Sequence, residues 1–158
     1  MLSIWLPVVL WTMVIAMESF LGSSGNTGPL LEGILTWLFG QGEPVIFDRL
    51  HFVLRKGGHF LGYGIYGYLW LRAFSATFPN GMRIIWAGLA IACTFLIASL
   101  DEWHQSFSPA RTGHFGDVVL DTCGALLLVS MAMVAIRRRT QPSAESRSAY
   151  RQGRSERG

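Results

Sequence analysis

Two apolar runs, Arg83 to Leu100 and Val118 to Ile136, do most to limit what this chain can fold into. Each approaches the roughly 20 residues that an α-helix needs to cross a bilayer, and the first carries no charged side chain between Arg83 and Asp101. Where they meet, the stretch SLDEWHQSFSPARTGHFGDVVLDTCG crowds Asp101, Glu102, His104, Gln105, Arg111, His114, Asp117 and Asp121 into one turn and its flanks. A carboxylate at the centre of a lipid-embedded helix costs about 2.5–3.5 kcal/mol on insertion scales, so polar groups at a membrane edge need partners or a task. The turn is therefore the expected functional centre.

Composition agrees with a membrane-embedded chain. Of its 158 residues 51% are hydrophobic and only 15% charged, with a mean hydropathy of +0.36, outside the range of an ordinary soluble domain. The net charge of +3 is no nucleic-acid signal, because seven of the thirteen Lys and Arg lie after Ile136. A basic tail beside a span reflects topology and anionic lipid instead. The expected organisation is one membrane domain, 1–136, followed by a disordered basic cytoplasmic tail, 137–158. Cys93 and Cys123 both sit inside apolar runs and read as small buried hydrophobes rather than a disulfide or half a metal site. No cofactor is expected.

Along the chain, Ile4 to Gly22 is long enough to cross and lacks the positive leading region of a secretory signal, so it reads as a retained span. Glu18 lies near its end. Leu30, Leu31, Ile34, Leu35 and Leu38 then form one stripe of a short amphipathic helix expected to lie in the interface. Pro44 restarts the chain, and Phe47, Leu50 and Leu54 repeat at helical spacing up to Arg55 and Lys56. A second span is expected from Gly57 to Phe74, where Gly57, Gly58, Gly62, Gly64 and Gly67 would let helices approach closely. His59, Tyr63, Tyr66 and Trp70 share one face of it, as an aromatic packing seam or as the lining of a pocket. After the Phe78-Pro79-Asn80-Gly81 connection come the third span and, from Phe115 to Ile136, a fourth that Arg137, Arg138 and Arg139 should stop. The expected fold class is all-α: a multi-spanning bundle of four transmembrane helices with one interfacial amphipathic helix.

Counting Lys and Arg in short loops orients this bundle. With the tail in the cytoplasm, nine basic residues lie inside and four, Arg49, Arg55, Lys56 and Arg111, lie outside. Both termini are then cytoplasmic. Four spans also put Glu18, His59, Asp101 and Asp117 at one membrane face, and the charge count makes that face external.

If Leu100 to Ser106 is helical, Asp101, His104 and Gln105 share a face while Glu102 and Trp103 point away. On the fourth span Asp117, Asp121 and Gly124 align, with Asp121 about one turn, roughly 5–6 Å, deeper than Asp117. Arg111 is the expected counter-charge for Asp101 and Asp117, an arrangement that could fix the loop without any chemistry. Three functional readings compete with that structural one. The first is recognition of an anionic or sugar-bearing headgroup by Arg111, His104, His114 and His59. The second is a divalent metal at His59, Asp101, His104 and Asp117, though the spacing fits no tight metal motif. The third is transfer or hydrolysis of a phosphate, with Arg111 clamping oxygens and His114 poised by Asp117 or Asp121. Arg111-x-x-His114-x-x-Asp117 loosely resembles part of the acid phosphatase signature of lipid phosphatases, without that signature's companion elements.

The same residues carry a more specific likeness. Lys56-Gly57-Gly58-His59-Phe60 with Tyr63, then Asp101-Glu102-Trp103-His104-Gln105-Ser106-Phe107-Ser108-Pro109-Ala110-Arg111, then Asp117-Val118-Val119-Leu120-Asp121-Thr122-Cys123-Gly124 follow one another in order. They match the pattern Lys-x-x-His-Phe, Asp-Glu-x-x-Gln-x-Phe, Pro-Gly-Arg and Asp-x-x-x-Asn-x-x-Gly, and the chain thereby resembles the VanZ-like family of bacterial membrane proteins, named for a teicoplanin-resistance protein. The likeness covers Phe47 to Ile136, and it implicates Lys56, His59, Asp101, Glu102, Gln105, Arg111, Asp117 and Gly124. Ala110 replaces the usual glycine, His114 a small hydroxyl residue and Asp121 the usual asparagine. A pairing of Asp121 with His114 would balance that extra acid.

The resemblance implies a small multi-pass protein of the bacterial cell membrane, linked in some members to tolerance of glycopeptide antibiotics, and no settled reaction. The expected function is recognition of a lipid headgroup or lipid-linked envelope component by the external polar cluster, with an influence on teicoplanin-type tolerance. Its partners would be membrane lipids, a lipid-linked precursor or another membrane protein, and not nucleic acid. A phosphatase or transferase acting on a lipid-linked phosphate is the first alternative. A structural partner of another envelope protein, using the glycine face of the second span, is the other.

Overall fold

The computed structural model describes residues 2–21, 33–34, 36–38, 40, 44–107 and 114–140. Among them are four long helices, α1 (Leu2–Leu21), α2 (Pro44–Thr77), α3 (Arg83–Gln105) and α4 (Phe115–Thr140), and no strand. The boundaries follow local chemistry. Before α3, Gly81 N–H donates to the Phe78 carbonyl at 3.1 Å, and the Trp86 ring lies where any side chain on Gly81 would collide. At the other end of α3, Ser106 N–H donates to Glu102 O at 3.0 Å and its hydroxyl donates to Trp103 O at 2.6 Å. These bonds satisfy carbonyls that a helix end leaves open. α4 carries Asp117 in its first turn, where the helix dipole favours a negative charge.

Three stretches, Leu2–Ser19, Arg83–Gln105 and Phe115–Arg138, are long and apolar enough to cross a membrane. The fourth expected span does not reach that composition. It belongs to α2, a single helix of 34 residues, about 51 Å long at 1.5 Å per residue, which fuses the Phe47–Leu54 segment with Gly57–Phe74. Arg49, Arg55, Lys56, His59 and Arg72 dilute its apolar content. α4 also continues past Ile136 to Thr140. Arginine is a good helix former, so Arg137 and Arg138 end the apolar run without ending the helix. Of the expected interfacial helix only residues 33–34 and 36–38 are described, all helical. The tail beyond Thr140 lies outside the described residues.

α2 packs against the other three helices. Against α1 it runs antiparallel: Trp5 Nε1 donates to Thr77 Oγ1 at 3.1 Å, while Thr12 Oγ1 meets Tyr66 OH at 2.8 Å. Against α3 it is antiparallel too, with Phe74 stacked on Trp86 and Tyr63 bonded to Asp101. Against α4 it is parallel, Gly64 facing Gly124 and Leu128 while Gly67 faces Ala125. A β-carbon on Gly124 would overlap the Phe60 carbonyl, so this contact is backbone against backbone. Gly57, Gly58 and Gly62 have open space where a β-carbon would stand, so only part of the glycine stripe is used inside the chain.

Tyr66, Trp70 and Phe74 continue into Trp5, Trp86 and Phe78 as a ladder of edge and stacked rings. That much of the expected aromatic face is a packing seam. Leu6, Leu10 and Met13 on α1, Ile84, Phe95 and Leu96 on α3, and Leu127, Met131 and Val134 on α4 are exposed. Soluble monomers rarely show apolar surface of this extent, whereas lipid covers it at no cost. The directions of the four helices bring the ends of α1 and α3, the start of α4 and residues 56–63 of α2 to one end of the bundle.

Candidate functional site

At that end the polar side chains meet. His59, 8% exposed, lies on α2 between two carboxylates from other helices. Its Nδ1 is 3.5 Å from Asp121 Oδ2 on α4, and its Nε2 is 4.0 Å from Glu18 Oε1 on α1. The Asp121 contact lies at the outer limit of hydrogen bonding, and His59 Nδ1 and Asp121 Oδ1 have no hydrogen-bond partner among the described residues. The Asp121 side chain is 3% exposed, whereas that of Glu18 is 60% exposed. An orphaned buried carboxylate oxygen is expensive.

In a second group each carboxylate has a partner. Asp101 Oδ2 accepts from Tyr63 OH and from Gln105 Nε2, each at 2.9 Å. Lys56 Nζ pairs with Asp117 Oδ1, and His114 N–H donates to Glu102 Oε1. The imidazole of His59 and the ring of Tyr63 stack with centroids 6.2 Å apart, which ties the two groups together one turn apart on α2. Every helix of the bundle contributes.

Several sequence expectations change here. Glu102 is buried at 8% rather than pointing away, while Trp103 is 63% exposed as expected. The inward arc of α3 runs through Ala98, Asp101, Glu102 and Gln105, because it packs against α2 and α4 together and so turns a broader face inward. His104 is exposed and reaches Ser19 Oγ on α1 through Nδ1 at 3.3 Å. Asp117 pairs with Lys56, a partner that sequence reasoning did not assign to it, and the expected Arg111 counter-charge lies outside the described residues. Asp121 meets His59, not His114, as its histidine neighbour, because the parallel contact of α2 with α4 sets them side by side. Among the described residues no three His, Cys, Asp or Glu side chains are placed to share a metal ion. Asp117 and His104 are turned to other partners, so the metal grouping His59, Asp101, His104 and Asp117 does not assemble. Glu18, expected at this membrane face, and Tyr63, expected on the His59 face of α2, join the cluster although neither was assigned a functional role from sequence.

The family model described as VanZ/LLP1 matches residues 4–136. The chain belongs to the VanZ/LLP1 family. No curated protein and no solved structure matches it. The first of the three motif blocks lies far in sequence from the other two yet contacts both in the fold. Lys56 of the first pairs with Asp117 of the third, Gly124 of the third closes on Phe60 of the first, and Tyr63 beside the first bonds Asp101 of the second. The family match also reaches back to residue 4, which takes in α1 and its Glu18.

Proposed function

We propose that this VanZ/LLP1 protein resides in the bacterial cell membrane and recognises a lipid headgroup, or the polar part of a lipid-linked envelope component, at the polar end of its bundle. One observation carries the reading: His59 and Asp121 are buried, face each other and retain unfilled hydrogen-bonding capacity. A purely structural ion pair would be expected to close fully, as Lys56 with Asp117 does. Glu18, largely exposed beside His59, gives that pair a route to the membrane surface.

In this reading α2 crosses the membrane as the fourth span, which its register alongside α1, α3 and α4 supports. Loop charges favour cytoplasmic termini and an external site. Bound lipid detected by native mass spectrometry of the purified protein, reduced by Asp101→Asn, is the expected result. Protein released without lipid, and equally stable in every lipid mixture, would refute it. An influence on teicoplanin-type tolerance is tested separately, by comparing susceptibility with and without the gene.

A phosphatase or transferase acting on a lipid-linked phosphate is the second reading. It draws on a buried carboxylate at Nδ1 of His59 while Nε2 turns toward the exposed side, an arrangement suited to a general base. His59→Gln should then abolish phosphate release from a polyprenyl phosphate without unfolding the protein.

A further inference from the structure

We infer that the headgroup taken at this end of the bundle carries a primary ammonium, which enters beside His59 and donates to Asp121 Oδ1. This rests on the headgroup reading above and adds the chemistry of the group bound.

The charge balance points there first. Glu18, Asp101, Glu102, Asp117 and Asp121 gather at one end of the bundle, and the one lysine among them, Lys56, is already paired with Asp117. Counting Arg111 from the sequence as well still leaves three negative charges with the histidines neutral. Tyr63, Gln105 and the His114 amide satisfy Asp101 and Glu102 with neutral donors, which lessens desolvation but adds no positive charge. An excess of carboxylates next to lipid attracts a cation and repels a phosphate.

The second observation is independent of that count. Asp121, 2% exposed, has no donor to Oδ1 among the described residues. An acceptor in such a place needs an N–H or O–H, which a quaternary ammonium lacks. A metal ion would need several ligands in one place, and the described residues offer no such set. A primary ammonium supplies charge and three donors in a small volume. Among the described residues nothing lies within 4 Å of where a β-carbon on Gly58 or Gly62 would stand, so the α2 surface neighbouring His59 carries no bulk against an approaching headgroup. The stacked His59 and Tyr63 rings border the same turn.

The full chain is reconstituted in phosphatidylcholine nanodiscs and offered phosphatidylethanolamine and phosphatidylglycerol in competition, with retained lipid read by native mass spectrometry. Phosphatidylethanolamine should be retained about tenfold over either competitor, the effect of one charge-assisted hydrogen bond. Asp121→Asn should remove that preference, and Glu18→Gln, at an exposed position that leaves folding intact, should reduce it. Protection by free ethanolamine in the phosphatidylcholine discs would assign the recognition to the ammonium itself, and protection by the lipid alone would assign it to the whole headgroup; both support the inference. A preference for phosphatidylglycerol that needs Asp101 would overturn the ammonium while leaving headgroup recognition standing. Indifference to all three lipids would overturn both. A phosphatidylethanolamine preference unchanged in Glu18→Gln and Asp121→Asn would place the ammonium elsewhere and overturn the site.

Discussion

Nδ1 of His59 and Oδ2 of Asp121 stand 3.5 Å apart across the parallel contact of α2 with α4. Both side chains are buried, so the pair contributes less attraction than its desolvation would require in a closed salt bridge. Removing the histidine alone leaves a buried carboxylate with nothing opposite it. His59→Ala should therefore lower stability by about 1–3 kcal/mol. Asp121→Asn, which removes the charge and keeps the shape, should change it by about 1 kcal/mol or less. Unfolding in mixed micelles of the two single variants and the double variant checks this. A His59→Ala cost that persists in the Asp121→Asn background would contradict it.

Lys56 and Asp117 are coupled in the same manner but with closed geometry. Lys56→Ala should cost about 1–3 kcal/mol by leaving Asp117 unpaired. Adding Asp117→Asn should restore most of that loss, so the two changes will not sum. Additive costs in the same unfolding measurement would mean that the pair does not form in the membrane.

The glycines of α2 and α4 should split into two groups. Gly124→Ala sets a methyl against the Phe60 carbonyl and Gly67→Ala sets one against Ala125, so each should destabilise by about 1–3 kcal/mol, Gly124→Ala the more. At Gly57 and Gly62, where a β-carbon meets open space, alanine should be neutral or stabilise by about 0.5–1 kcal/mol through helix propensity. Thermal denaturation of the four single variants distinguishes these outcomes.

Orientation is open to a chemical test. In a background lacking Cys93 and Cys123, a cysteine at Ser106 should react with a membrane-impermeant maleimide on intact cells. One at Asn80, in the opposite loop, should react only after permeabilisation. The reverse pattern would invert the bundle and put the acidic end in the cytoplasm.

The start of α3 was legible because a Pro-Asn-Gly turn precedes it, whereas its end was not, since the apolar run stops at Leu100 and the helix continues through Asp101 and Glu102 to Gln105. Membership of the VanZ/LLP1 family was legible in three spaced motifs, and the family match extends that likeness to residue 4. Local periodicity could not give the partners. The inward face of α3 was misjudged at Glu102 because two neighbours, not polarity, define which arc is covered. Lys56 and Asp117 are 61 residues apart, and only the parallel course of α2 and α4 joins them. A contact of that kind leaves no trace in hydrophobic spacing. The length of α2 was hidden for a related reason: Arg55 and Lys56 read as a boundary, whereas lysine and arginine are well tolerated inside a helix.

The backbone contact of Gly124 with Phe60 joins α2 to α4, with α3 lying between them in the chain. During synthesis α2 emerges before α3 and α4, carrying buried-to-be His59 and the glycines that α4 later covers. A nascent chain that ends after Gln105 thus holds its least lipid-tolerant helix without its principal neighbour. In the proposed four-span topology, membrane integration of α2 should consequently lag behind its translation and finish only when α4 arrives.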